Sequence, residues 1–247
     1  MGTRTSTTSA LAPSRRRRRW ALALAGLLAC CAAATAATAD ATTATASAQV
    51  APDALDGFSR AAVRSAWTGT ADPALAVPTA WTGLVADCRA GAPSAAAQQS
   101  ALDMVNLYRD LTDLSHVRFD TALSAQAQRA ALIMDAQGAL SHNPPDTWAC
   151  WTAEGVSAAG RSNLYLGPTS GARAVLGYID DPGASNTSVG HRRWILDPGQ
   201  EVMGHGQTGR ANALYVVAPQ AVDPSAPEWI PWPSAGYLPV QAEPEGR

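Results

Sequence analysis

Apolar residues follow four different rhythms along the chain. Trp20 to Ala29 (WALALAGLLA) is an unbroken apolar run, and residues 40–52 are rich in Ala and Thr with no large apolar residue. Residues 53–93 carry isolated apolar positions (Leu55, Phe58, Val63, Trp67, Trp81, Leu84) broken by Pro73 and Pro78, which predicts a short helix or two on the edge of a larger body. From Pro93 the pattern becomes periodic. Leu102, Val105, Tyr108, Leu111 and Leu114 fall on one face of a helix over Ser94–Leu114. A second helix starts at Asp120 or Thr121, runs through Leu123, Ala127, Ala130 and Met134, and stops at Gly138. Pro144-Pro145 forbids a helix there, so residues 142–168 read as largely irregular. A third helix is expected over Gly171–Ile179, ended by Asp181-Pro182-Gly183, with short strands at Gln200–Gly206 and Ala213–Val217. No internal repeat is visible.

The apolar run near the start takes its meaning from its flanks. Arg15 to Arg19 precede it, and Ala37-Thr38-Ala39 comes after it, just before Asp40. A charged block, a short apolar run and a small-residue site form the order of an export signal, here over residues 1–39. The run is shorter than the roughly 20 apolar residues that span a bilayer, so no transmembrane helix is expected after cleavage. A retained anchor is the alternative. The adjacent arginines also permit a twin-arginine route, and Leu27-Leu28-Ala29-Cys30 loosely resembles a lipoprotein site that would anchor the chain at Cys30.

Cleavage changes the charge and the cysteine count. Six of the 18 basic residues and none of the 20 acidic ones lie in residues 1–39, which leaves a mature net charge of −8 and no basic run. Nucleic acid is therefore excluded as an expected partner. Of four cysteines only Cys88 and Cys150 remain, and in an oxidising compartment they most simply pair. The absence of Cys-x-x-Cys argues against a thiolate zinc site. Residues 40–52 read as a disordered lead-in.

Histidine is scarce, with His116, His142, His191 and His205 the whole set. His142 and His191 sit off any periodic apolar face, the first past a helix stop and the second after a Pro/Gly/Ser/Asn turn, so each needs a dedicated partner or a functional role. Around them stands an ordered series: Asn106-x-Tyr108-Arg109, Leu123-x-x-x-Ala127-Gln128-x-x-Ala131, Leu140-Ser141-His142, Asn163-Leu164 and Gly190-His191-Arg192-Arg193-Trp194-Ile195-Leu196. This series resembles the CAP superfamily of cysteine-rich secretory, antigen 5 and pathogenesis-related 1 (SCP-like) proteins. Asp181-Pro182-Gly183 and Met203-Gly204-x-Gly206 resemble its bacterial branch.

The resemblance implies an α+β fold: a CAP-type α-β-α sandwich with a small antiparallel sheet between helical layers, over residues 94–219. It further implies a cavity lined by two histidines and two acidic residues. His142 and His191 match the histidines, and Asp181, with Asp180 beside it, stands for one carboxylate. Ser162 occupies the place of the other. The resemblance thus leaves His142, His191 and Asp181 as the expected ligands of a divalent metal such as zinc.

Catalysis finds little support. The chain has no lysine, no Gly-x-Ser-x-Gly and no His-Glu-x-x-His. The leading expectation is a secreted, non-catalytic CAP-domain protein that binds a lipid or sterol, a cell-wall component or an extracellular protein in a histidine-lined groove. The alternatives are a metal-dependent hydrolase using His142 and His191, and a structural envelope protein with a vestigial cavity. Trp148 and Trp151 are expected to pack over the disulfide, and Arg192-Arg193 to lie at the surface or in salt bridges. The Pro/Trp-rich tail, 220–247, resembles the segment just after the CAP domain in some bacterial relatives and reads as cut short.

Overall fold

Five helices start at a side-chain oxygen that accepts a backbone N–H three residues on: Ser59, Ser94, Asp120, Thr152 and Ser170. Each such cap is worth about 1 kcal/mol, and together they fix where the chain turns. In the computed structural model, which describes residues 54–220 and 229–243, they open α1 (Arg60–Ala66), α3 (Ala95–Asp110), α4 (Thr121–Gln137), α5 (Ala153–Ala159) and α6 (Gly171–Asp180). A π-helical turn, Trp67–Ala71, joins α1 to α2 (Asp72–Ala76), and α7 spans Gly190–Ile195. The expected export signal, the lead-in and Cys30 lie outside the described residues, as do residues 221–228 and 244–247 of the tail.

The sheet has four strands: β1 (Arg118–Phe119), β2 (Ser162–Leu166), β3 (Val202–Gln207) and β4 (Ala211–Tyr215), in the order β1-β3-β4-β2. The three longer strands are antiparallel, as expected, but β1 joins β3 in parallel, so the sheet is mixed. Two elements fall where the sequence reads as irregular, α5 and β2. Pro144-Pro145 confines the irregular stretch to its own neighbourhood, and the Thr152 cap starts a new helix soon after it.

Strand β3 shows how the layers meet. Successive side chains of a strand point to opposite faces. Gly204 and Gly206 face α4, where an added Cβ would stand 2.5 Å from the Leu123 carbonyl carbon and 2.3 Å from that of Ala127. Helix α4 therefore lies directly on the strand backbone, which explains the Met-Gly-x-Gly pattern. On the other face, Gly171 at the start of α6 approaches the His205 ring and Ala101 of α3. One apolar cluster gathers α3, α6, α7 and the N-terminal helices (Met104, Tyr108, Val175, Ile195), and a second gathers α4, α5 and strands β2 and β4 (Ala130, Ile133, Ala158, Leu164, Ala213). This is the three-layer arrangement with helices on both faces of the sheet.

Cys88 and Cys150 are bridged, 62 residues apart in sequence, a closure worth about 4 kcal/mol on the chain-entropy account. Trp148 and Trp151 line a groove with the two half-cystines. Trp151 also ties its indole N–H to the Pro144 carbonyl.

Candidate functional site

The two helices behind the site cap each other. Helix α6 ends at Asp181, a left-handed residue (φ 45°) that is 2% exposed. Its Oδ2 accepts the backbone N–H of His191 at 3.0 Å and of Arg192 at 3.4 Å, so a carboxylate sits on the N-terminus of α7. In return the buried Arg192 donates from Nε to the Ile179 carbonyl and from Nη2 to that of Asp180, at the C-terminus of α6. Arg192 is thus a structural clamp between two helix ends, buried where the sequence offered a surface or salt-bridged place. The turn between the helices is strained, since Val189 holds φ 42°, a value that a β-branched residue rarely adopts.

That clamp orients one imidazole. His191 Nδ1 lies 2.8 Å from Asp181 Oδ1, which also accepts the Asn186 amide at 2.9 Å. A carboxylate oxygen only accepts here, so Nδ1 carries the proton and Nε2 of the neutral ring keeps its lone pair. The Asn163 amide holds the His191 carbonyl at 3.0 Å, and the Tyr178 ring lies 5.5 Å from the imidazole. His142 is built the same way from another layer. Its Nδ1 donates to the Ala159 carbonyl at the end of α5, at 2.8 Å, and again Nε2 is left.

The fold brings all four expected residues to one pocket. His142, Ser162, Asp181 and His191 line a recess of about 350 Å³, with Asn163, Asn186, Trp194 and Val217 on its walls. Ser162 is buried, and its hydroxyl donates to the Ala158 carbonyl at 2.8 Å. It is therefore committed to the backbone and not poised as a nucleophile. Trp194 is the wall residue that sequence reasoning passed over. It is 37% exposed, and the only signal for it is its place one turn after His191 in a short helix.

The expected metal set does not fit. Both oxygens of Asp181 accept hydrogen bonds from His191, Arg192 and Asn186, so the carboxylate positions a histidine instead of standing beside it as a ligand. Among the described residues no three His, Cys, Asp or Glu side chains are grouped to hold a metal ion. Two imidazoles fall short of the three protein ligands of an open zinc site.

Residues 102–218 match the model of the cysteine-rich secretory protein family, CAP. This segment belongs to the CAP family. No curated protein matches the chain. Among solved structures, the chain is similar to an extracellular protein containing a SCP domain from Bacillus anthracis str. Ames, at 18% identity and a TM-score of 0.38. The likeness covers 48% of this chain and 39% of that one, so the chain spans well under half of that protein's length. Within the CAP domain, the serine at position 162 departs from the two-carboxylate cavity that the motif series implies. No helix among the described residues is long and apolar enough to cross a membrane.

Proposed function

We propose that the protein is an extracellular binding module whose CAP pocket takes a polar cell-wall component, a glycan in chemical terms. One observation carries the reading: two imidazoles with Nδ1 fixed and Nε2 left converge on a recess beside a half-exposed indole. Sugars offer hydroxyls to the ring nitrogens and a C–H face to an aromatic ring, whereas an apolar ligand would gain little from walls of His, Asn, Ser and Asp. That favours a cell-wall component over a lipid or sterol here. The test is co-sedimentation with insoluble peptidoglycan and, in parallel, with sterol-containing phosphatidylcholine vesicles. Retention on peptidoglycan, lost in His142→Ala/His191→Ala and in Trp194→Ala with the fold intact by circular dichroism, is the expected result. Retention that ignores these substitutions, or that occurs only on vesicles, overturns it.

The Asp181–His191 pair favours a second reading, hydrolysis with His191 Nε2 as general base toward water. Ser162 takes no part in such a step. Soluble fragments released from the same peptidoglycan by the wild type and not by His191→Gln would establish it. An intact fold with neither retention nor release would leave a structural role for the domain.

A further inference from the structure

A larger cavity, about 600 Å³, lies outside the CAP match, between the α1–π–α2 run and tail residues 237–241. Its size falls within the roughly 300–1,000 Å³ of small-molecule sites. Val63, Trp67, Leu238 and Val240 make its walls apolar, and Arg60 and Arg64 stand on its rim with Asp72.

Three features of this wall are unexplained by folding alone. Arg60 and Arg64 are four residues apart on one helix, so the two cations share a face and repel each other. Neither guanidinium has an ion-pair or hydrogen-bond partner among the described residues, and both are exposed. Trp67 is buried at 4% exposure, yet its indole N–H has no hydrogen-bond partner. It also opens the π-helical turn, a rare geometry that clusters at functional sites. On the tail side Val240 is 74% exposed at the cavity's edge, a large apolar surface left to water.

We propose that this cavity binds a single-chain amphiphile with an oxyanion head, the head held at Arg60 and Arg64 and the chain lying against Trp67, Leu238 and Val240. Guanidinium forks match carboxylate and phosphate heads alike, and two cations against the single Asp72 leave the rim positive. The apolar wall selects a chain over a compact anion. The site is independent of the histidine pocket, since the two share no lining residue.

Isothermal titration of the purified protein below the critical micelle concentration tests this with dodecanoate, dodecyl phosphate and dodecanol. Dodecanoate or dodecyl phosphate should bind at least tenfold more tightly than dodecanol, and whichever of the two binds tighter identifies the head. Arg60→Gln/Arg64→Gln should remove that tenfold preference and leave dodecanol unchanged. Val240→Glu, a change at an exposed position, should weaken all three ligands. His142→Ala/His191→Ala should weaken none of them. Equal affinity for dodecanoate, dodecyl phosphate and dodecanol, or oxyanion binding that survives the double arginine variant, overturns the proposal. So does a protein that ignores monomeric ligands and sediments with phosphatidylglycerol vesicles, which would make this face a membrane contact.

Discussion

His205 and His191 put the same side chain to opposite uses. His205 sits on β3 at the centre of the sheet with no exposed surface, and both ring nitrogens are taken: Nδ1 by Gln98 Oε1 at 2.9 Å and Nε2 by the Asn212 amide at 2.8 Å. The Asn212 amide also reaches Gln207, and Tyr178 donates to Asn212 Oδ1, so the ring anchors a buried polar network between α3, α6 and the sheet. His191 has the same first partner type, an acceptor at Nδ1, but its ring lines a recess and its second nitrogen has no hydrogen-bond partner among the described residues. Whether a histidine is structural or available is decided by its second nitrogen, and that depends on which layer edge carries it. The pH response of the protein should track this division.

The largest effect belongs to the buried ring. Burial pulls the His205 pKa down to about 3, against about 6.5 in an unfolded chain. Below pH 6.5 the unfolded state takes up a proton that the folded state refuses until about pH 3. The stability linked to His205 is therefore complete above pH 6.5 and is lost as pH falls through that window, roughly 5 kcal/mol in all. Between pH 6.5 and 5, above the range of most carboxylates, the loss should reach about 2 kcal/mol. Urea unfolding at half-unit pH steps reads it directly. A flat profile over that interval would mean that the ring is not held neutral, and the contrast with His191 would collapse.

Next in size is the mutual cap that orients His191. Asp181→Ala removes hydrogen bonds to one imidazole, one amide and two backbone N–H groups at a buried carboxylate, and should cost about 2–3 kcal/mol. Arg192→Met strips the α6 carbonyls of their donor and should cost about 2 kcal/mol. The two act on one helix junction, so the double variant should lose clearly less than the two single losses together, which denaturant unfolding of the three proteins would show. Strict additivity would mean that the two halves stabilise separate places.

The legibility of the sequence divides along the same line. Helices α3, α4 and α6 are legible because apolar spacing and a capping residue are local signals, and Gly138 marks the α4 stop with φ 70°. The disulfide comes from counting cysteines, and the four pocket residues from the order of the motif series. Features that rest on distant partners were hidden. Strand β2 depends on pairing with β4 some fifty residues later, and Pro144-Pro145 masks its local pattern. Asp181 reads as a metal ligand because sequence shows its type and not its partners, the N-terminus of α7 and His191. Gly204 and Gly206 flank His205 and give the only hint of its burial, since glycine on alternate positions of a strand signals close approach of another backbone.

The smallest effect on stability sharpens the comparison most. His142→Ala/His191→Ala removes two solvent-accessible rings and with them one donor to the buried Asp181 carboxylate and one to the Ala159 carbonyl, so the loss should be about 1–2 kcal/mol, a melting temperature lower by roughly 3–6 °C for a domain of this size. His205 keeps Gln98 and Asn212 in this variant, so its own contribution to the acid slope between pH 6.5 and 5 stays in place. In the converse variant, His205→Gln, that slope should disappear while retention on peptidoglycan persists in whatever fraction stays folded. Thermal melts, urea titrations and co-sedimentation on the two proteins together separate a ring that holds the fold from rings that face a ligand. If the double alanine variant instead lost several kcal/mol, the pocket histidines would be part of the scaffold, and the binding reading would lose its main support.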